Sequence, residues 1–320
     1  MRRLPAFVWF CFGAIIALLL VSMLYLDVSR PSAVGLHHDG TLPASMVAMT
    51  AVRMALRRPR VVASFTTFPL GTRMAGVGGM LRSLANQSWP LDAVVLNLPD
   101  TIERLSSKTL TIPPEVHEWS RLYSWLNVHQ TKDRGPATKL LGALEVEKDP
   151  DTIIVVLDDD TYYHRDTVLA LVSSMISSPI DISPCFQCEE VHMGWFGKLH
   201  WSYAAAEGRC NGFSSGYAAY AVRPRFFDYM IWDQSSGPEG CRLHDDVWIS
   251  GCMLLAKGVR PHLLRPGFDS VTGAYIKDTG TRQKESVFVA NQVAHRQGQD
   301  PQGDCIAHFP FRVELSNPIL

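Results

Sequence analysis

Apolar runs and amphipathic segments alternate along the chain from Arg60 onward. Short runs between turn residues predict strands, and longer segments with helical apolar spacing predict helices. The predicted strands are 61–66, 93–99, 124–130 and 152–157, and the predicted helices are 74–88, 137–148 and 166–177. The run at 152–157 (TIIVVL) is apolar on both faces, which is typical of a central parallel strand covered by helices. The pattern therefore predicts a doubly wound, mostly parallel α/β sheet, whose ligands bind beyond the carboxyl ends of the strands.

The pattern changes after the third predicted helix. Residues 178–216 are richer in Gly, Cys and Trp, and they predict loops and short strands. A strand signal returns at 217–222 (YAAYAV), and a helix is predicted at 245–258, where a glycine gives the stop signal. We expect this irregular second half to build a substrate pocket.

The N-terminal segment predicts a membrane anchor. Arg2 and Arg3 precede an uncharged apolar run at 4–26, which as a helix spans a hydrocarbon core of about 30 Å. A cleaved signal peptide has a shorter apolar region, roughly 7–15 residues, and a small-residue cleavage site that this run lacks. The leading arginines favour a cytosolic N-terminus. The expected order is a cytosolic tail at 1–3, the transmembrane anchor at 4–26, a stem at 27–59 and a luminal domain at 60–320.

Composition fits a folded domain in an oxidising compartment. The chain is 47% hydrophobic and 19% charged, which indicates a globular protein, and its formal charge of -1 argues against a nucleic-acid partner. Six cysteines follow the predicted anchor and allow up to three disulfides in a lumen. Cys185-x-x-Cys188 resembles half of a zinc site, but no second half follows, so a structural disulfide is favoured. Asn86-Gln87-Ser88 is an N-glycosylation sequon, which agrees with a luminal location.

Three consecutive carboxylates follow the fourth predicted strand, at Asp158, Asp159 and Asp160. Like charges at the end of a buried strand repel each other and are costly to bury, which a divalent cation would offset. Side chains two apart converge in an extended turn, so Asp158 and Asp160 are predicted ligands of Mn²⁺ or Mg²⁺. A solvated turn before a helix explains the same residues without a metal. A phosphohydrolase D-x-D-x-T/V motif is disfavoured, because Tyr162 stands where Thr or Val is needed.

A second acidic pair, Asp245 and Asp246, opens the predicted helix at 245–258. An N-cap and a first-turn acid explain both residues, with a stabilisation of roughly 1 kcal/mol. Alternatively, a carboxylate held rigidly at the helix start serves as general base toward a hydroxyl group. In that interpretation the helix N-terminus lowers the pKa of the base, which then stays ionised.

These motifs, in this order, resemble a GT-A-fold glycosyltransferase of the Golgi. The motifs that carry the resemblance are a type II anchor, an α/β half that ends in the D-x-D at 158–160, a Gly-rich segment, and the stretch DDVWISGCMLLAKGV at 245–259. That stretch is similar to the E/D-D-V-x-x-G-x-C helix of inverting β-1,3-glycosyltransferase-like enzymes. The resemblance spans about residues 60–310 in motif order. It implies transfer of a sugar from a UDP- or GDP-sugar, with inversion, to a hydroxyl of a glycan, glycoprotein or glycolipid.

The resemblance also implies roles for individual residues. Asp158 and Asp160 match the pair that binds metal and diphosphate, and Asp246 matches the catalytic base, with Asp245 as its acidic neighbour. The residues implied to contact the nucleotide, diphosphate or donor sugar are Thr66, Thr67, Arg73, Arg134, Gly135, Lys139, Asp159, Gly212 and Gly216.

Two further sets of residues complete the implied site. GT-A enzymes often use a C-terminal histidine as a metal ligand, for which His295 is favoured, with His262 and His308 as alternatives. The candidates for stacking on an acceptor sugar are Trp195, Phe196, Trp201 and Tyr203.

A non-catalytic function also stays open, namely a membrane-tethered glycan-binding or inactive transferase-like protein. The two acidic motifs together weigh against it.

Overall fold

The structure, a computed structural model, describes residues 58–67, 73–102, 108–109, 111–194, 198–274 and 300–311. The predicted tail, the anchor at 4–26 and nearly all of the stem lie outside these ranges, as does His295. Among the described residues, no helix is both long enough and apolar enough to cross a membrane. The described residues lie almost entirely within 60–320, the segment predicted to form the luminal domain.

Strands in the described ranges are mostly short. In chain order they are β1 (Val61–Thr66), β2 (Ala93–Pro99), β3 (Thr101–Ile102), β4 (Lys108–Thr109), β5 (Leu126–Thr131), β6 (Ile153–Val156), β7 (Thr161–Tyr163), β8 (Ser183–Cys185), β9 (Cys188–Met193), β10 (Leu199–Tyr203), β11 (Gly208–Arg209), β12 (Gly212–Ser214), β13 (Tyr220–Val222), β14 (Pro261–Leu263) and β15 (Val271–Ala274). The helices are α1 (Arg73–Ala85), α2 (Pro114–Leu122), α3 (Thr138–Val146), α4 (Thr167–Ser177), α5 (Asp245–Lys257) and α6 (Pro301–His308).

Eight strands form one central sheet, in the order β11-β14-β8-β13-β6-β1-β2-β5. The strands β5, β2, β1 and β6 run parallel to one another, and β8 runs parallel to β14. By contrast, β13 is antiparallel to both β6 and β8, and β11 is antiparallel to β14. The chain leaves β1 toward β2 and β5 on one side and reaches β6 on the other, which confirms the predicted doubly wound, mostly parallel sheet.

Burial explains why the strands and helices in the first half of the domain can be predicted from the sequence. The residues of β2 and β6 are buried throughout, and five of the six in β1 are buried too, so these strands are continuous apolar runs. Helix α3 buries every residue from Thr138 to Leu144 and packs against β1 and β2. The four predicted strands and the helices at 74–88, 137–148, 166–177 and 245–258 are confirmed, with bounds shifted by a few residues. Helix α2 was missed because only Val116 in it is buried, which leaves little apolar pattern.

The second half is built from small sheets and turns, as predicted. Strands β10, β9 and β12 form a three-stranded antiparallel sheet. The predicted strand at 217–222 is wrong in its first half, because Gly216–Ala218 form a turn of 3₁₀ helix and only Tyr220–Val222 pair in the central sheet. Ala219 links them at a φ of 75°. This turn becomes part of the candidate site.

The cysteines form two disulfides among the described residues. They join Cys188 to Cys210 and Cys241 to Cys305. Cys185 and Cys252 are buried free thiols, so two disulfides form where the cysteine count allowed up to three. Burial raises the pKa of both thiols, which keeps them protonated. Within the C-x-x-C motif, Cys188 is oxidised as expected, but its partner lies in the loop before β12.

Candidate active site

Lys139 lies at the centre of the candidate site. It belongs to the first turn of α3 and is only 4% exposed. Its Nζ lies 2.8 Å from Asp158 Oδ1, 3.0 Å from Asp245 Oδ2 and 3.7 Å from Asp246 Oδ1. Asp158 follows β6, whereas the other two acids begin α5. The fold therefore brings three carboxylates from two distant segments onto one buried ammonium group.

Polar side chains within the apolar strands fix the first turn of α3. Ser64 in β1 donates its hydroxyl to the carbonyl oxygen of Lys139 at 2.5 Å. Asn97 in β2 donates Nδ2 to Ser64 Oγ at 2.9 Å and to the same carbonyl oxygen at 3.3 Å. Both side chains are fully buried, where such bonds are worth most and are costly to break. The backbone of Lys139 is thus held rigidly by the sheet beneath it.

Asp158 is held through its backbone by Tyr163 of β7. The N–H of Asp158 donates to the Tyr163 hydroxyl at 2.9 Å, and that hydroxyl lies 3.3 Å from the carbonyl oxygen of Tyr217, to which it donates. Tyr163 is 3% exposed, so this bridge is shielded from water. It connects the end of β6 to the turn at Gly216–Ala218. The side chain of Asp158 is 31% exposed and remains accessible to a ligand.

Asp246 is fixed by the same turn. The N–H of Gly216 donates to Asp246 Oδ2 at 2.9 Å, while the Asp246 side chain remains 28% exposed. A Cβ atom at position 216 would clash with Lys139 Nζ and lie 3.0 Å from Asp246 Oδ1. Gly216 is therefore required for the close approach of the acid to the ammonium group.

The pKa values in the cluster contradict the expectation that the helix N-terminus lowers the pKa of the base. Burial raises the pKa of Asp246 above its ordinary value, and the neighbouring Asp245 and Asp158 raise it further, while Lys139 opposes them. The pKa of Asp245 is also raised, mainly by burial. The predicted lowering by the helix N-terminus is thus wrong, because desolvation and like charges outweigh the helix dipole. For Lys139, burial alone would lower the pKa, but three carboxylates raise it well above its usual range, so the group is cationic.

Comparisons with known proteins give no family assignment. No protein family model matches the chain, and no curated protein matches its sequence. Among solved structures, S. aureus TarS 1-349 overlaps it with a TM-score of 0.41 and 13% identity, covering 63% of this chain and 57% of that one. GalNAc-T7 with UDP, GalNAc and Mn²⁺ overlaps with a TM-score of 0.44 and 11% identity, covering 74% and 48%. The chain spans about half the length of these structures. Such partial likeness assigns no activity, which depends on the residues of the site.

Residues predicted to contact the nucleotide lie at the carboxyl end of β1. Thr66 ends the strand and donates its hydroxyl to the carbonyl oxygen of Asn97 at 2.8 Å. Thr67 is 1% exposed, and its hydroxyl makes no hydrogen bond within the described part of the chain. Arg73 is the first residue of α1. Residues 68–72 between them lie outside the described ranges, so these nucleotide contacts stay predictions.

Arg134 and Gly135 have structural roles in the turn before α3. Arg134 forms an ion pair with Glu145 at 2.7 Å, and its guanidinium lies 5.2 Å from the ring centre of Trp232. Gly135 has a φ of 62°, a left-handed conformation that favours glycine, and a Cβ there would lie 2.6 Å from the carbonyl oxygen of Arg242. These contacts account for both residues, and their contact with a donor stays a prediction.

Gly212 also has a packing role. It lies in β12 opposite Glu190 of β9, where a Cβ atom would clash with the carbonyl oxygen of Glu189. The close approach of the two strands therefore explains this glycine, and no donor contact is needed to account for it.

The predicted metal ligands Asp158 and Asp160 lie on one turn after β6. Asp160 is partly buried and accepts a hydrogen bond from the Thr161 hydroxyl at 3.3 Å, while Asp159 between them is 1% exposed. Within the described residues, no group of three His, Cys, Asp or Glu side chains is arranged to hold a metal ion, and His295 lies outside those residues. Two carboxylates suffice for Mg²⁺ or Mn²⁺ where water and substrate phosphates complete the coordination. The donor set fits such a cation, and ligation stays a prediction.

Several residues of the site were missed in the sequence. Ser64 and Asn97 carry a usable signal, since each is a polar residue inside an apolar strand. Tyr163 and Tyr220 carry none, because aromatic residues are common in any core. Tyr220 is fully buried, and burial raises its pKa well above its usual range, while the nearby ammonium group of Lys139 opposes the shift. Tertiary contacts alone reveal both tyrosines as site residues.

Proposed function

We propose that the chain is a metal-dependent glycosyltransferase that moves a sugar from a nucleotide-sugar donor to an acceptor hydroxyl with inversion. One observation carries the proposal: Asp158, at the end of β6, and Asp246, at the start of α5, both lie against the ammonium group of Lys139. Direct displacement needs a group that binds the leaving diphosphate and a base for the incoming hydroxyl. These two acids supply both functions within one site.

The chemistry follows from the position of Asp246. The acceptor oxygen forms a bond to the anomeric carbon of the donor, and the bond from that carbon to the diphosphate oxygen breaks. The acceptor proton passes to the carboxylate of Asp246, and the nucleoside diphosphate leaves with the electron pair. A base with a raised pKa is well suited to this step, since it takes the proton more readily than an ordinary carboxylate. Attack on the face opposite the leaving group inverts the anomeric configuration.

Asp158 and Asp160 would hold a divalent cation in this scheme. Mn²⁺ or Mg²⁺ supplies positive charge that neutralises the diphosphate and stabilises the leaving oxygen. Lys139 holds the Asp158 carboxylate in position by an ion pair at 2.8 Å. A cation bound through two carboxylates and the substrate's phosphates is the usual mode for Mg²⁺.

The proposal is tested by thermal denaturation of the full chain with nucleotide sugars. UDP-glucose, UDP-galactose, UDP-N-acetylglucosamine and GDP-mannose are each added with 1 mM Mn²⁺ or with EDTA. At about 100 times its Kd, a ligand stabilises by about 2.7 kcal/mol, so a rise in Tm of roughly 5 °C is expected for one donor with Mn²⁺. The rise should be absent with EDTA.

The matched control is a pair of aspartate variants. Asp158→Asn should lose the Mn²⁺-dependent rise, whereas Asp181→Asn should keep it, because Asp181 pairs with Arg225 on the surface. If no donor raises the Tm with Mn²⁺, the non-catalytic alternative is favoured. A rise of equal size with EDTA would refute the metal but keep the donor site.

We also propose a Golgi location, with the domain in the lumen behind the anchor at 4–26. Asn86 supports this placement, because it is exposed just after α1 and is followed by Ser88, as the sequon needs. The two disulfides agree with an oxidising compartment. Expressed in cells, the chain is expected to carry an N-linked glycan at this site.

An endoglycosidase digest checks the topology. Wild-type protein from cell membranes should gain mobility on digestion, and Asn86→Gln should run at the digested position from the start. Asn211→Gln is the control, because Asn211 is followed by Gly212 and Phe213 and lacks a sequon. An undigested wild type with the mobility of Asn86→Gln would place the domain outside the secretory lumen.

A further inference from the structure

Exposed aromatic and polar side chains lie on and around the turn whose Gly216 N–H binds the proposed base. Tyr217 follows Gly216, whose N–H binds Asp246, and its ring is 44% exposed. Its backbone is also fixed, because its carbonyl oxygen accepts the hydroxyl of Tyr163. Tyr217 is therefore the residue next to the glycine that binds the proposed base, and its side chain is open to solvent.

Three further side chains adjoin Tyr217. Its hydroxyl donates to Gln187 Oε1, and burial, followed by the nearby phenol of Tyr203, raises the pKa of Tyr217. Tyr203 ends β10, is 66% exposed, and pairs with Glu189 across the antiparallel strands. Glu189 is partly buried, and its carboxylate is hydrogen-bonded to Ser215, the residue before Gly216.

This combination matches the chemistry of a sugar ring. The C–H face of a pyranose packs on an aromatic ring, and a rigid tyrosine offers that surface at low entropic cost. A neighbouring amide and carboxylate accept hydrogen bonds from the hydroxyl groups at the ring's edge. A saccharide resting on Tyr217 would thus present a hydroxyl near Asp246.

We propose that Tyr217 and Tyr203, with Gln187 and Glu189, form the acceptor subsite, and that the acceptor is a saccharide. This inference rests on the function proposed above. The subsite lies on the turn at Gly216–Ala218 and on the small sheet of the second half. Of the four aromatic residues expected to stack on an acceptor, Tyr203 is included, whereas Trp201 packs partly buried against the core. Trp195 and Phe196 lie outside the described residues.

The test measures transfer and donor hydrolysis separately. The wild type and variants of the full chain are assayed with methyl glycosides of glucose, galactose and N-acetylglucosamine, and with a peptide rich in Ser and Thr. Tyr217→Ala should raise the acceptor KM about tenfold, the loss expected from removing one aromatic stack, and should lower transfer relative to donor hydrolysis. Tyr217→Phe keeps the ring and should restore most of the affinity. Tyr229→Ala is the control, since Tyr229 is 83% exposed in a separate turn.

The results of these assays distinguish a failure of the acceptor subsite from a failure of the proposed transferase function. An unchanged acceptor KM in Tyr217→Ala, or transfer to the peptide but to no glycoside, overturns the saccharide subsite while the transferase function stands. Saturation-transfer NMR with the same glycosides gives a readout that needs no turnover. Glycoside binding that Tyr217→Ala abolishes, in a protein that turns over no donor, would support the subsite and refute the transferase.

Discussion

Replacing Asp246 with asparagine is expected to reduce sugar transfer by about 10²- to 10⁴-fold, the usual contribution of a general base. The amide is nearly isosteric and still accepts the hydrogen bond from the Gly216 N–H, so the turn should be preserved. It has no basic oxygen to take the acceptor proton. Donor binding, measured by the Mn²⁺-dependent rise in Tm, should stay close to that of the wild type. The loss should appear in kcat and much less in the KM for the donor.

A surface aspartate, Asp181, provides the control for the Asp246→Asn variant. Asp181→Asn removes an exposed carboxylate from an ion pair with Arg225 and should leave transfer within twofold of the wild type. A transfer rate of Asp246→Asn close to normal would remove this residue from the mechanism. A product that retains the donor's anomeric configuration would contradict direct displacement, whichever residue acts as base.

The pH profile gives a second readout of the same residue. The base acts in its deprotonated form, so kcat/KM should rise with pH as Asp246 loses its proton. Because burial and its acidic neighbours raise the pKa of Asp246, the acidic limb should lie well above pH 4, the range of an ordinary aspartate. An acidic limb near pH 4 would mean that the carboxylate is solvated in the working enzyme.

Replacing Lys139 with methionine is expected to destabilise the fold by about 3 kcal/mol and to abolish transfer. The ammonium group is the counter-ion of Asp245, whose side chain is only 9% exposed, and breaking a buried pair leaves an uncompensated charge. Asp158 and Asp246 are about one third exposed and contribute less, since water screens them. Urea unfolding followed by fluorescence measures the loss as a lower midpoint at constant slope.

A matched surface variant shows whether this loss of stability is specific to Lys139 or follows from removing any positively charged side chain. Arg60→Met breaks a bidentate ion pair with Glu147, but Arg60 is 43% exposed, so its cost should be about 1 kcal/mol or less. Adding Asp245→Asn to Lys139→Met should restore part of the lost stability, because it removes the carboxylate that lost its partner. If the lysine variant unfolds like the arginine variant, the cluster is solvated and does not depend on its ammonium.

The site was predicted in its parts but not in its arrangement. Asp158 and Asp246 were chosen from local motifs, an acid after an apolar strand and an acid at a helix start, and both lie in the cluster. Lys139 was predicted to face the donor, since its segment reads as an ordinary amphipathic helix. Its actual partners lie after the next strand and at the start of the much later helix α5. No local sequence pattern encodes contacts between segments that are separated along the chain.

Local periodicity and hydrophobicity determined the order and type of the main elements, because a strand buried on both faces or a helix with one apolar face needs a recognisable pattern in its own residues. The tertiary structure alone decided which cysteines pair, which turn binds Asp246 and whether the pKa of Asp246 rises or falls. Each of these depends on what surrounds a group after folding. Desolvation and charge act through space, and the sequence records distance only along the chain.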